Sequence, residues 1–163
     1  MSPDDAHAAR TRLLEALSIE DPITTRVIAA IPPEQITYVP GARCREANAL
    51  AIHTVRAGRW FLRMVDGLGP PDETPEIPAT KERLLEAVAE EQQHYRSRLE
   101  AFDAETLAAP CAMVGGGHTN LEVLSWHKDH MVHHRGQLTL YLRLMGAHVP
   151  ATYGPSADED MQP

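Results

Sequence analysis

A capping-box pair, Thr119 and Glu122, then apolar residues at Leu124, Met131, Leu138, Leu142 and Met145, then Gly146: this stretch constrains the fold more than any other. The threonine hydroxyl can take the backbone N–H three residues on while the glutamate returns to the threonine N–H, so a helix starts there. The apolar spacing turns one face to a core, and the glycine marks the end. No alternating pattern of the kind a half-buried strand requires competes with this reading anywhere in the chain.

Three further stretches are predicted to be helical. Ser2 and Pro3 supply an N-cap and a first-turn proline, and the helix runs toward Ala30 until Pro32-Pro33, with Pro22 expected to kink or divide it. Residues 32–43 contain Ile36, Tyr38 and Val39 and are expected to pack down irregularly. A second helix is expected from about Cys44 to Asp66, ended by Gly67. The connection from Gly69 through Pro70, Pro71, Pro75 and Pro78 is too rich in proline for helix or paired strand. Thr80 then caps a third helix with an inner stripe of Leu84, Leu85, Val88, Gln92, Tyr95 and Leu99. From Asp103 to His118, Pro110 and the run Gly115-Gly116-Gly117 indicate a loop with a short extended piece at Cys111 to Val114. No lysine follows the glycines, so they do not form a phosphate-binding loop. The expected fold is all-α: a four-helix bundle with irregular loops as one domain over residues 1–154, then a short, solvated, disordered acidic tail over 155–163.

A chain of 163 residues can bury one substantial core without disulfide staples. Cys44 and Cys111 have neither metal-type nor redox-type spacing, which suits a reducing compartment with both thiols free. The N-terminal Asp4, Asp5 and His7 do not resemble a secretory leader, and no apolar run is long enough to span a bilayer, so a cytoplasmic location is expected. The net charge of −8 argues against nucleic-acid binding, which needs a basic patch to displace counterions.

The histidines carry the functional signal. His130 and His134 are four apart on the last predicted helix, so their imidazoles share a face one turn apart and can converge on one metal ion. His53 interrupts the apolar stripe Leu50, Thr54, Ala57, Phe61 and Met64 of the second helix, which turns it inward as a third ligand. His127, three residues before His130 on the same face, is the alternative third ligand or a supporting residue. His133 points away and is expected at the surface or an interface. Met131 stands where a zinc-protease helix would carry its glutamate, so the His-Glu-x-x-His reading fails. Three neutral imidazoles with one open position describe a catalytic site better than a closed structural one. Gln137 and Arg135 are candidates to support the ligands, Gln137 the better placed.

The run His130-Met131-Val132-His133-His134-Arg135-Gly136-Gln137-Leu138, with Tyr141-Leu142-Arg143, Gly146, Pro150 and Tyr153-Gly154, closely resembles the last helix of the DinB-like (YfiT-like) metalloenzymes. The resemblance extends from the helix containing His53 to Gly154. It implies a bundle with an unusual helix order, frequent homodimers, and a divalent metal, usually zinc or nickel, on His53, His130 and His134. It also implies transfer of a low-molecular-weight thiol (bacillithiol, mycothiol or glutathione) to an electrophilic small molecule. Metal-dependent hydrolysis on the same site, or a non-catalytic metal-binding bundle, are the alternatives. One clue is independent of the family. Arg56, Arg59 and Arg63 lie on one face of the second helix with no acid between Ala47 and Val65, and such a face suits the carboxylates of a small thiol. An ion-pair face against Glu82, Glu86 and Glu90 is the other reading of the same arginines.

Overall fold

The computed structural model describes residues 1–69 and 76–160. Five helices follow in order: α1 (Pro3–Ala29), α2 (Ala47–Val65), α3 (Lys81–Ala101), α4 (Ala104–Ala108) and α5 (Asn120–Met145). There are no strands among the described residues, only an isolated bridge between Pro110 and Thr119. The four long helices form the bundle. Most of the proline-rich connection, residues 70–75, lies outside the described residues, as do 161–163.

The helix ends follow the capping chemistry. Ser2 accepts from the Asp5 N–H, Thr80 from Arg83, and Thr119 from Glu122 with the reciprocal glutamate bond present. Gly146 ends α5 in the left-handed region at φ 71°. Pro22 does not divide α1, which is one continuous helix. α2 begins later than the sequence suggests because the preceding linker caps it: the Tyr38 carbonyl accepts from the Ala47 N–H (3.0 Å) and the Ile36 carbonyl from Asn48 (2.9 Å). In that linker Ile36 is buried and Tyr38 packs edge-on against Tyr141, whereas Val39 is exposed.

The segment expected to be a loop with an extended piece contains structure of a different kind. Asp103 caps the short helix α4 through the Thr106 N–H (2.6 Å), and residues 112–114 form a 3-10 turn. One buried residue, Leu107, anchors α4. A helix with a single anchor has no apolar period to detect.

α1 packs on α3 and α5, and α2 packs on the same two, so α1 and α2 occupy opposite corners of the bundle although they are consecutive in the chain. The core is formed by the expected stripes, with Leu84, Val88, Tyr95 and Leu99 from α3 and Leu124, Met131, Leu138 and Leu142 from α5 all buried. Gln92 has a place in that stripe because its amide bonds Thr25 and the Asp21 carbonyl on α1. Residues beyond Gly154 fold back as far as they are described. The Asp158 carboxylate accepts from the Val149 N–H (3.0 Å), Glu159 accepts from Ala151 (2.8 Å), and Arg143 pairs with Asp158.

Candidate metal centre

The tight α2–α5 seam places His53 opposite His130 and His134. All three are half-buried, and their candidate ligand nitrogens lie within 4.8 Å of one another. The Nε2 atoms of His130 and His134 are 3.1 Å apart, and the His53 ring stands 5.0 Å and 4.8 Å, centroid to centroid, from the other two. Phe61, one face of α2 further along, meets His130 edge-on and forms an apolar wall.

Gln137 fixes one tautomer. Its carboxamide oxygen accepts from His134 Nδ1 (2.8 Å) while its amide nitrogen contacts His133 Nε2 (3.1 Å). With the proton on Nδ1, the His134 Nε2 lone pair faces the cluster. Burial comes first among the causes that push the His53 pKa down to about 4, followed by the charges of Arg45 and His134. His130 is also pushed down to about 4, by burial, then His134 and His53. His134 is lowered by burial, against a raising contribution from Gln137. Three unprotonated imidazoles converge at neutral pH, and no carboxylate among the described residues contributes to any of the three shifts. The 3.1 Å contact between His130 Nε2 and His134 Nε2 is within hydrogen-bonding range, and with both ring protons on Nδ1 the imidazoles present convergent neutral donors, so the donor set fits a divalent ion.

His127 does not join the cluster. It is buried between α2 and α3, its ring 4.2 Å from that of Tyr95, and its Nδ1 has no hydrogen-bond partner. Gly58 makes room for it, since a Cβ there would lie 2.7 Å from Tyr95 Cδ2 and 3.0 Å from His127 Nε2. His133 is exposed, as its position on the helix requires.

Arg135 does not support the ligands. It is almost fully buried on the other side of α5 and bonds Glu20 (2.7 Å), Thr24 (3.2 Å) and the Tyr153 hydroxyl (2.5 Å). The Arg56, Arg59, Arg63 face is engaged in the fold. Arg56 Nε donates to Glu91 Oε1 (3.1 Å) and Arg59 Nε to Glu91 Oε2 (2.5 Å), while Arg63 Nε donates to the Gly69 carbonyl (2.7 Å). The acid that receives the pair is the buried Glu91, not Glu82, Glu86 or Glu90. Arg59 and Arg63 also line, with His94 and Arg98, a surface cavity of about 320 Å³ that none of the three histidines borders. The sequence reading passed over Arg45, which lies in the linker. It lies outside any helical period, so its spacing from His53 carried no signal.

The DinB family profile matches residues 5–163, and the chain belongs to the DinB family. A DinB-like protein from Bacillus subtilis superposes with a TM-score of 0.71 at 20% identity, over 86% of this chain and 96% of that one. A second, from Bacillus cereus, gives 0.72 at 21% identity, over 86% and 95%. At these identities the likeness establishes the fold. No functionally curated protein matches the chain. No helix among the described residues is long and apolar enough to cross a membrane.

Proposed function

We propose that the protein is a metal-dependent transferase that joins a low-molecular-weight thiol to an electrophilic small molecule, with zinc or nickel held by His53, His130 and His134. The observation that carries this reading is the convergence of three neutral imidazoles at a site where no carboxylate among the described residues is felt. A divalent ion there would acidify a bound thiol to its thiolate at neutral pH. The chain's own contribution is positional. α2 and α5 hold the ligands, Gln137 orients His134, and Phe61 keeps one side of the site dry. Hydrolysis would call for a base beside a water, and neither Glu122 nor Glu46 is suited to that role. Glu122 is bound into the capping box of α5, and Glu46 is the exposed N-cap of α2.

The test is reconstitution with zinc or nickel, followed by adduct formation between bacillithiol, mycothiol or glutathione and a panel including monobromobimane and 1-chloro-2,4-dinitrobenzene. Activity that disappears on chelation and returns with metal is the expected result. Ester or amide hydrolysis without thiol would favour the hydrolase. Metal-loaded protein that accelerates neither reaction would leave a non-catalytic metal-binding role. A cytoplasmic setting with abundant free thiols suits this chemistry and the two unpaired cysteines. Pairing as a homodimer through the exposed Leu140 and Leu144, one turn apart on α5, belongs to the same proposal, and sedimentation at micromolar concentration tests it.

A further inference from the structure

Arg45 immediately precedes Glu46, the N-cap of α2, and its backbone is held in place by α5. The Tyr141 hydroxyl donates to the Arg45 carbonyl at 3.1 Å. The Tyr141 ring is in turn braced edge-on by Tyr38, whose carbonyl caps the first turn of α2. Arg45 therefore lies eight residues before His53 on one side of the seam and, through Tyr141, beside a point seven residues beyond His134 on the other. His134 and Tyr141 are about two turns apart within α5, so Tyr141 lies on the ligand-bearing face of that helix and holds the Arg45 backbone on the same side of the seam.

The Arg45 side chain is exposed and makes no hydrogen bond or ion pair among the described residues, in contrast to Arg56, Arg59 and Arg135, whose guanidinium groups are engaged in the fold. Among the arginines and lysines it is the one whose charge is felt at the cluster, at both His53 and His134. In a chain of net charge −8, a free cation is thus held at the mouth of the site. A guanidinium fork is matched to a carboxylate, and its attraction extends over several ångströms before contact.

We infer that Arg45 is the anchor for a carboxylate carried by the thiol cosubstrate, so that the site selects anionic thiols over neutral ones of the same size. This inference rests on the thiol reading of the histidine site.

The experiment compares N-acetylcysteine with its neutral amide on the full chain loaded with cobalt(II), following the sulfur-to-cobalt charge-transfer absorption as each is titrated. Wild type should bind the acid about fivefold more tightly than the amide, as expected for one solvent-facing charge pair with good geometry. Arg45→Gln should abolish that preference and Arg45→Lys should retain part of it, with cobalt stoichiometry unchanged in both. Equal binding of acid and amide by wild type, or a preference that survives Arg45→Gln, would overturn the assignment to Arg45 while the thiol reading stands. A cobalt-loaded protein that binds neither compound would instead overturn the thiol reading, and the role of Arg45 with it. The wild-type comparison needs no variant, so the inference is exposed to refutation even if Arg45→Gln folds poorly.

Discussion

Arg135 follows His134 in the chain yet turns its guanidinium to the opposite side of α5, where it meets the Glu20 carboxylate of α1 at 2.7 Å. Adjacent helical residues diverge by about 100°, so one can face the α2 seam while the next faces α1. The same arginine bonds Tyr153, whose hydroxyl also reaches both Glu20 oxygens (2.8 Å each), and its guanidinium lies over the Tyr153 ring at 5.0 Å. The arginine of the His-Arg-Gly-Gln run thus ties α5, α1 and the C-terminal segment together. Arg135→Ala leaves Glu20 nearly buried without its cation and should lower unfolding stability by about 3–5 kcal/mol. Urea unfolding measures the loss. Metal stoichiometry of the folded fraction should remain unchanged, and loss of metal from protein that is still folded would place Arg135 in the site after all.

Metal binding should separate the histidines. Alanine at His53, His130 or His134 removes one of three ligands and should abolish stoichiometric zinc. Gln137→Ala releases the His134 ring and should weaken affinity roughly 10–100-fold without changing stoichiometry. His127→Phe should retain the full metal content, because His127 points into the α2–α3 packing. Competitive titration against a chromogenic chelator resolves all three cases, and zinc loss in His127→Phe comparable to that in His53→Ala would refute the ligand set.

How much of this was legible in the sequence depends on the range of the cause. Caps act within one turn, so Thr80, Thr119 with Glu122, and Gly146 marked their boundaries correctly. The inward turn of His53 followed from its place in an apolar stripe, a property of a single helix. The direction of Arg135 depended on which neighbour lies behind α5, and the diagonal placement of α1 and α2 is a fact about four helices together. Neither leaves a trace in periodicity. Periodicity sets Arg59 against the third helix without singling out Glu91 from Glu82, Glu86 and Glu90, and Arg45 leaves no mark because only the Tyr141 contact brings its linker to the site.

Gly58 allows α2 to approach Tyr95 and His127. A methyl group at 2.7 Å from the Tyr95 ring and 3.0 Å from His127 cannot be accommodated without displacing one of them. Tyr95 is held by its hydroxyl bond to the Leu124 carbonyl and cannot easily yield. Gly58→Ala should therefore cost about 1–3 kcal/mol despite its better helix propensity. Calorimetry would show a lowered Tm, and a raised one would mean that the seam can relax.

Truncation before Ser156 should also be felt. It removes the acceptors of the Val149 and Ala151 N–H groups and the Asp158 partner of Arg143. Each capping-type bond contributes about 1 kcal/mol, so a loss on the order of 1–3 kcal/mol is expected. Hydrogen exchange at Val149 and Ala151 should accelerate in the truncated chain. Unchanged protection at both amides would show that these bonds do not persist in solution.

Acid should unfold the metal-free protein earlier than its carboxylates alone would dictate. Burial, with a smaller contribution from His130, pushes the His127 pKa from its ordinary 6.5 down to about 3. Between these values the unfolded chain carries a proton at this residue that the folded one lacks. The stabilising contribution is therefore complete above about pH 6.5 and is lost as pH falls toward about 3, at about 1.4 kcal/mol per pH unit. His53 and His130, both lowered to about 4, act in the same direction. Asp21 acts in the opposite one. Burial raises its pKa to about 6 against the lowering effect of Arg96, so its folded form holds a proton that the unfolded form gives up above about pH 3.8. Its stabilising contribution is complete below that value and is lost as pH rises to about 6. These histidines, with His134 lowered as well, outweigh Asp21, so stability should fall on acidification from about pH 6 to 4. His127→Phe keeps a ring against Tyr95 and removes one proton from this balance, so its stability should depend on pH less steeply by about 1.4 kcal/mol per unit across that window. Urea unfolding of both proteins with chelator present gives the two slopes, and equal slopes would mean that His127 takes up its proton without unfolding the chain.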